Sequence, residues 1–177
     1  MPDWKTLSSQ EVYKTAWFTI KKDQVAIHTG KELTYSYMVL PHPAVTIVAV
    51  NHDGEVLLQK NYRYTLRTRL WELPAGNSDG EEPLTAAKRE LLEETGLVSD
   101  DWLSLGEVYM ATGVASIQQH MFLARGVKPQ TDERDEDEDI SSQCFISRTK
   151  ITDMLRSNDI VDSDSVIALY KYLAIST

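Results

Sequence analysis

Cysteine is nearly missing from this chain. Cys144 is the one thiol in 177 residues, so no internal disulfide can form and a reducing, cytoplasmic setting is the expectation. With Phe145 and Ile146 beside it, Cys144 reads as a strand position and not as a nucleophile. No apolar run is long enough to span a bilayer, and the N-terminus lacks the basic-then-apolar order of a signal peptide. Positive charge is scarce as well: 18 Lys and Arg face 27 Asp and Glu, for a net charge of −9. That balance argues against a nucleic-acid partner or attachment to an anionic membrane, and it suits a protein that gathers carboxylates around a metal. His28, His42, His52 and His120 are scattered without metal-ligand spacing and read as structural or surface residues. No internal repeat is visible. What is present is a composition of 42% hydrophobic and 25% charged residues, which suits one soluble domain with a real core and a small terminal extension.

The organising stretch runs from Leu73 to Leu97. Pro83 suits a first helical turn, where its missing N–H would have no partner. Gly96 suits the stop, because glycine takes the left-handed conformation that closes many helices. Leu84, Ala87 and Leu91 form the apolar stripe between them. Glu90, Glu93 and Glu94 fall within an arc of about 100° beside that stripe. Three carboxylates at this spacing repel one another, and helix stability does not ask for them. A solvated face is the bland reading; a hard divalent cation, which takes oxygen ligands, is the functional one.

Around this helix the chain reads as strands. Residues 1–40 hold several short ones, with Asp23 and Gly30 placed at turns. Such strands bury little alone and must lie on the main body or on a partner subunit. Val45-Thr46-Ile47-Val48-Ala49-Val50 suits a strand buried on both faces, Asp53-Gly54 a hairpin turn, and residues 55–60 the return strand. Two further strands are expected near residues 103–110 and 120–124, and another through Gln143-Cys144-Phe145-Ile146. The segment 132–139 has seven acids in eight residues, ordinarily a solvated loop. Ser147 can cap a helix over 148–156, and Asp162 or Ser163 another. Arg63, in Tyr62-Arg63-Tyr64, could grip a diphosphate through its planar fork or could form a structural salt bridge. Arg67 and Arg69 read as surface charges.

The string from Gly76 through Arg89-Glu90-Leu91-Leu92-Glu93-Glu94-Thr95-Gly96-Leu97 resembles the Nudix box. Its C-terminal half matches at every defined position, while four residues separate Gly76 from Glu81, one fewer than in the family. Tyr62-Arg63-Tyr64 before Trp71-Glu72-Leu73-Pro74-Ala75-Gly76 is similar to the branch that splits ADP-ribose and other nucleoside diphosphate sugars. That branch usually has a Ser-Pro-Gly-like turn where this chain has Ala111-Thr112-Gly113. The resemblance implies an α+β fold, a Nudix-type α/β/α sandwich with a mixed sheet, over residues 41–177, preceded by an N-terminal β-strand extension over 1–40. It implies Mg²⁺, with Mn²⁺ as a substitute, held by Glu90, Glu93, Glu94 and the Ala75 carbonyl. Arg89 would hold the glutamates in place, pairing with a carboxylate such as Glu81. Glu138, or else Glu136, would activate water from the acidic loop. The N-terminal strands would exchange across a homodimer, where Trp17 and Phe18 could stack on an adenine or simply pack. The implied reaction is hydrolysis of a nucleoside diphosphate sugar to a nucleoside monophosphate and a sugar phosphate. Two alternatives stay open: action on a triphosphate or dinucleotide, and a non-catalytic nucleotide sensor.

Overall fold

In the computed structural model, residues 4–131 and 140–175 are described. The first strands are β1 (Lys5–Lys14), β2 (Thr19–Ala26), β3 (Glu32–Val39), β4 (Ala44–Val50) and β5 (Val56–Arg63). The short strands β6 (Thr68–Glu72) and β7 (Ala75–Asn77) lead into helix α1 (Pro83–Thr95). Then follow β8 (Leu97–Val98), β9 (Asp101–Met110), β10 (Ala115–Arg125), β11 (Lys128–Pro129) and β12 (Ile140–Ile146), and the chain closes with α2 (Arg148–Arg156) and α3 (Ser163–Ala174). The main sheet runs β1-β2-β3-β10-β4-β5-β12, with β6 on β5, β7 on β4 and β9 on β10. It is mixed, because β10 runs parallel to both β3 and β4 while the other pairs are antiparallel.

Strand β4 shows why three layers form. Successive side chains point to opposite faces, and here both faces are apolar. Val45, Ile47 and Ala49 pack with Ala86, Ala87 and Leu91 of α1. Val48 and Val50 pack with Ile151, Met154 and Leu155 of α2 and with Ala168, Leu169 and Tyr172 of α3. Full burial of a side chain such as Leu91 contributes about 2 kcal/mol, so the two cores clamp the sheet between α1 on one side and α2 with α3 on the other. This is the expected α/β/α sandwich. Ser147 and Asp162 cap α2 and α3 by accepting from the Lys150 and Ser165 amides. Among the described residues, no helix is long and apolar enough to cross a membrane.

The N-terminal strands depart from expectation in one respect. Asp23 is not at a turn: β2 runs straight through it, paired residue by residue with β3. Its carboxylate is buried and accepts a hydrogen bond of 3.1 Å from the Tyr37 hydroxyl. Burial, with Asp23 beside it, pushes the Tyr37 pKa up. The β1–β3 unit joins the rest of the sheet through Ala115↔Met38 and Ser116↔Val39 on β10.

Candidate active site

Helix α1 starts where Glu82, as N-cap, accepts from the Thr85 amide at 3.1 Å, and it stops at Gly96, whose φ is 71°. Gly96 is also a close approach. A Cβ there would lie 2.3 Å from the Thr131 carbonyl oxygen, so the segment after β11 is seated directly against the end of the helix.

The glutamates of α1 differ in depth, and helical geometry gives the reason. At about 100° per residue, Glu94 lies about 20° from Ala87, which forms the edge of the apolar stripe, Glu90 about 60° away and Glu93 about 120° away. Glu94 is accordingly 3% exposed, while the side chains of Glu90 and Glu93 are 13% and 47% exposed. A solvated face is therefore the wrong description for Glu94 and Glu90. Glu94 Oε2 accepts from Gln59 Nε2 at 2.6 Å and from the Ala75 amide at 3.4 Å. The expected loop at Gly76 is instead strand β7, and Glu90 lies against it where a Cβ on Gly76 would come within 2.1 Å of its Cδ. Space, not a special φ, is what demands glycine at that position.

Arg89 braces this arrangement. Its guanidinium donates to Glu81 at 2.9 Å, to Glu93 at 2.8 Å and to the Asn77 carbonyl at 2.8 Å, and it pairs with Glu90 at 2.9 Å. The pairing with Glu81 expected from sequence is present although the loop is one residue short. Burial works against the Arg89 charge, but the bonds to Glu81 and Glu93 and the charges of Glu90 and Glu93 outweigh it, and its pKa is raised. Burial likewise raises the Glu90 pKa, outweighing the opposing pull of Arg89.

Arg63 is engaged in the structural salt bridge, one of the two roles left open. Its Nε lies 2.9 Å from Glu72 Oε1 and its Nη2 2.5 Å from Oε2. Glu72 is buried and also accepts from Asn61 at 3.1 Å. Trp17 is 69% exposed at the β1–β2 turn, and Phe18 rests against Tyr13 with ring centroids 6.0 Å apart. Among the described residues, no hydrogen bond or ring contact joins either aromatic to the α1 carboxylates. Glu136 and Glu138 lie outside the described residues. Sequence reading missed Gln59 and Gln143, which hold Glu94 of α1 from the sheet, and the buried pair of Asn61 and Glu72 beside Arg63. The signal was there for Gln59: it stands two residues after Leu57 on the α1 face of β5, where a second apolar residue belongs.

A curled mixed sheet sandwiched by helices, with an Arg-Glu-x-x-Glu-Glu helix packed on a glycine-bearing strand, defines a Nudix fold and site. The Nudix domain matches residues 40–169, and the nucleoside diphosphate sugar hydrolase N-terminal domain matches residues 4–38. The chain belongs to the Nudix hydrolase family. An ADP-ribose pyrophosphatase of Mycobacterium tuberculosis is 38% identical over 129 residues, 71% of this chain but 61% of that protein, less than two thirds of its length. An ADP-ribose pyrophosphatase of Bacillus subtilis is 28% identical over 172 residues, 93% of this chain and 90% of that one. The crystal structure of an ADP compounds hydrolase superposes with a TM-score of 0.87 at 25% identity, covering 98% of this chain and 94% of the other.

Nudix hydrolases generally use a divalent metal, and the cradle that Gly76 leaves for Glu90, next to the buried Glu94, fits such an ion. Among the described residues, no three acidic, His or Cys side chains close into a cage by themselves. That is compatible with Mg²⁺, which usually keeps several waters and shares the phosphates of its substrate.

Proposed function

We propose that the chain hydrolyses the pyrophosphate bond of an ADP-ribose-like nucleoside diphosphate sugar, giving a nucleoside monophosphate and a sugar phosphate. The observation that carries this reading is the sinking of Glu94 and Glu90 against Ala75 and Gly76 of β7 with Arg89 bracing them. Burying carboxylates beside one another is unfavourable unless a cation neutralises them. The names of the mycobacterial and Bacillus relatives support the substrate class. Glu90, Glu94, Glu93 and the Ala75 carbonyl would hold Mg²⁺, or Mn²⁺ in its place. When bound, the metal supplies charge neutralisation at the phosphates and a bound water of lowered pKa.

The protein's own groups do the rest. Arg89 keeps the glutamates in register through Glu81 and the Asn77 carbonyl. Glu138, or Glu136, accepts the proton of the attacking water as its oxygen bonds to phosphorus and the bridging P–O bond breaks. Support for that role is the anchoring of the acidic segment's two ends: Gln130 and Thr131 donate to the Gly96 carbonyl, and Ile140 pairs with Asn61. The half-exposed Arg63, preset by Glu72, meets the diphosphate at its edge, and Trp17 or Phe18 covers the base. Residues 41–177 then form the catalytic domain and 1–40 a dimerising extension, in a homodimer working in the cytoplasm.

The test is release of phosphomonoester from a panel of nucleotide sugars, triphosphates and dinucleotides, with Mg²⁺ and with chelator. Mg²⁺-dependent cleavage of ADP-ribose or a relative is expected. A marked preference for triphosphates would replace the substrate, and binding without turnover would make the protein a sensor. Glu94→Gln should keep the fold, judged by circular dichroism, and lose about 100-fold or more in kcat, because it removes a metal-binding charge at constant size.

A further inference from the structure

Strand β5 alternates so that Leu57 and Gln59 share the face toward α1, and Gln59 is fully buried there. A primary amide in such a position must have both ends satisfied, and it has. Its Nε2 donates to Glu94 Oε2 at 2.6 Å, and its Oε1 accepts from Gln143 Nε2 at 3.2 Å. Gln143, on β12, also donates to the Glu94 backbone carbonyl at 2.9 Å. The two glutamines thus form a short relay that grips Glu94 by side chain and main chain at once. The direction of the relay is fixed by chemistry. Because Gln143 presents N–H to Gln59, the Gln59 amide must keep its oxygen toward β12 and its N–H₂ toward the carboxylate; flipped, it would set oxygen against oxygen. The Ala75 amide at 3.4 Å converges on the same Glu94 oxygen, so the rotation of the carboxylate about its last bond is fixed from two sides.

We propose that Gln59 and Gln143 are positioning residues that preorganise Glu94 for the divalent metal, with Gln143 fixing the amide orientation of Gln59. This rests on the reading of Glu94 as a metal ligand. Partners of this kind typically change metal affinity by about 10–100-fold when removed.

The experiment is titration of substrate-free enzyme with Mn²⁺, followed by electron paramagnetic resonance, for wild type, Gln59→Met, Gln143→Met and Glu94→Gln. Melting temperature without metal checks that each variant is folded. Methionine keeps the volume of glutamine and removes the donor. Gln59→Met should bind Mn²⁺ about tenfold more weakly, and Gln143→Met should weaken it in the same direction by a smaller factor. In turnover, the Mg²⁺ concentration for half activity should rise in step while kcat at saturating Mg²⁺ recovers most of its value, a pattern that a general loss of packing does not produce. Mn²⁺ affinity within twofold of wild type in folded Gln59→Met, beside a clear loss in Glu94→Gln, overturns the relay alone. Unchanged affinity in Glu94→Gln overturns the ligand reading and the relay with it. Should Gln59→Met fail to fold, Gln143→Met decides, because position 143 is only part-buried and tolerates the change; unchanged affinity there also overturns the proposal.

Discussion

A methyl group at position 76 would sit 2.1 Å from Cδ of Glu90, far inside contact distance, so Gly76→Ala must displace either the strand or the carboxylate. The Glu90 side chain is the softer of the two and should move. The expected result is a loss of about 10–100-fold in kcat and in metal affinity, with stability lowered by only about 1–3 kcal/mol for the overpacking; kinetics and urea denaturation of the same variant check both halves. Burial raises the pKa of Glu90, so the carboxyl holds its proton to higher pH than an ordinary glutamate. Metal must displace that proton, and Mn²⁺ affinity should therefore fall as pH drops toward 5, more steeply in wild type than in Glu90→Gln, as measured by titration at several pH values. Much of this was legible beforehand. Arg89, Glu90, Glu93, Glu94 and Gly76 stand at fixed spacing, and the pairing of Arg89 with Glu81 followed from it. The floor of the site was not legible, because Gln59 and Gln143 are 84 residues apart and only the β5–β12 pairing brings them together.

At the scale of elements, the β5–β6 hairpin divides its labour between faces. Lys60 lies over the Trp71 ring on one face, while Asn61, Arg63 and Glu72 make a polar network on the other. Arg63→Ala leaves the Glu72 charge buried with its main partner gone. The pair is half exposed on the arginine side, so the cost should be about 2–3 kcal/mol, below that of a fully buried bridge; Glu72→Gln in the same background should recover part of it, read from urea midpoints. Helix α3 stores a second unfavourable charge. Asp164 is pushed up to about 6, first by burial and then by the Asp162 charge, and its Oδ1 has no partner among the described residues. The folded state holds this proton more tightly than the unfolded chain does. Its contribution to stability is thus present below about pH 4 and lost as pH rises through about 6. Asp164→Asn should stabilise the protein by about 1–2 kcal/mol at pH 8, allowing for solvent screening, and have little effect at pH 4. Denaturant midpoints at the two pH values test the sign. The start and stop of α1 could be read from Pro83 and Gly96, and the N-caps of α2 and α3 from Ser147 and from Asp162 or Ser163, since a cap is a local rule. Of the last two Asp162 is the cap, whereas the Glu82 cap of α1 was not read. Strand β2 could not, because the burial of Asp23 under Tyr37 depends on β3 and overrides its turn preference.

For the molecule as a whole, the N-terminal unit is the part that the chain does not finish. Every residue of β1 is exposed, and Trp4, Leu7, Val12, Tyr13 and Trp17 are among the large exposed apolar side chains. An edge strand of this length with apolar side chains invites pairing or aggregation unless something covers it. A second copy of the chain is the occupant in the homodimer proposed above. A stable interface of this kind buries at least about 1,000 Å², and the exposed apolar side chains of β1 and its turn would lie at its centre. The chain should therefore sediment as a dimer at micromolar concentration. Val12→Asp, on the outer strand and far in sequence from the α1 site, should shift it toward monomer, because an unpaired carboxylate in an apolar interface is costly to desolvate. The kinetic signature then separates two uses of the dimer. If Trp17 or Phe18 of one subunit covers the base bound by the other, monomer formation should raise KM strongly and leave kcat nearly unchanged. If the interface only stabilises the fold, KM should hold while the melting temperature falls. A wild-type chain that sediments as a monomer with full activity would remove both, and the exposed face of β1 would then need a different partner.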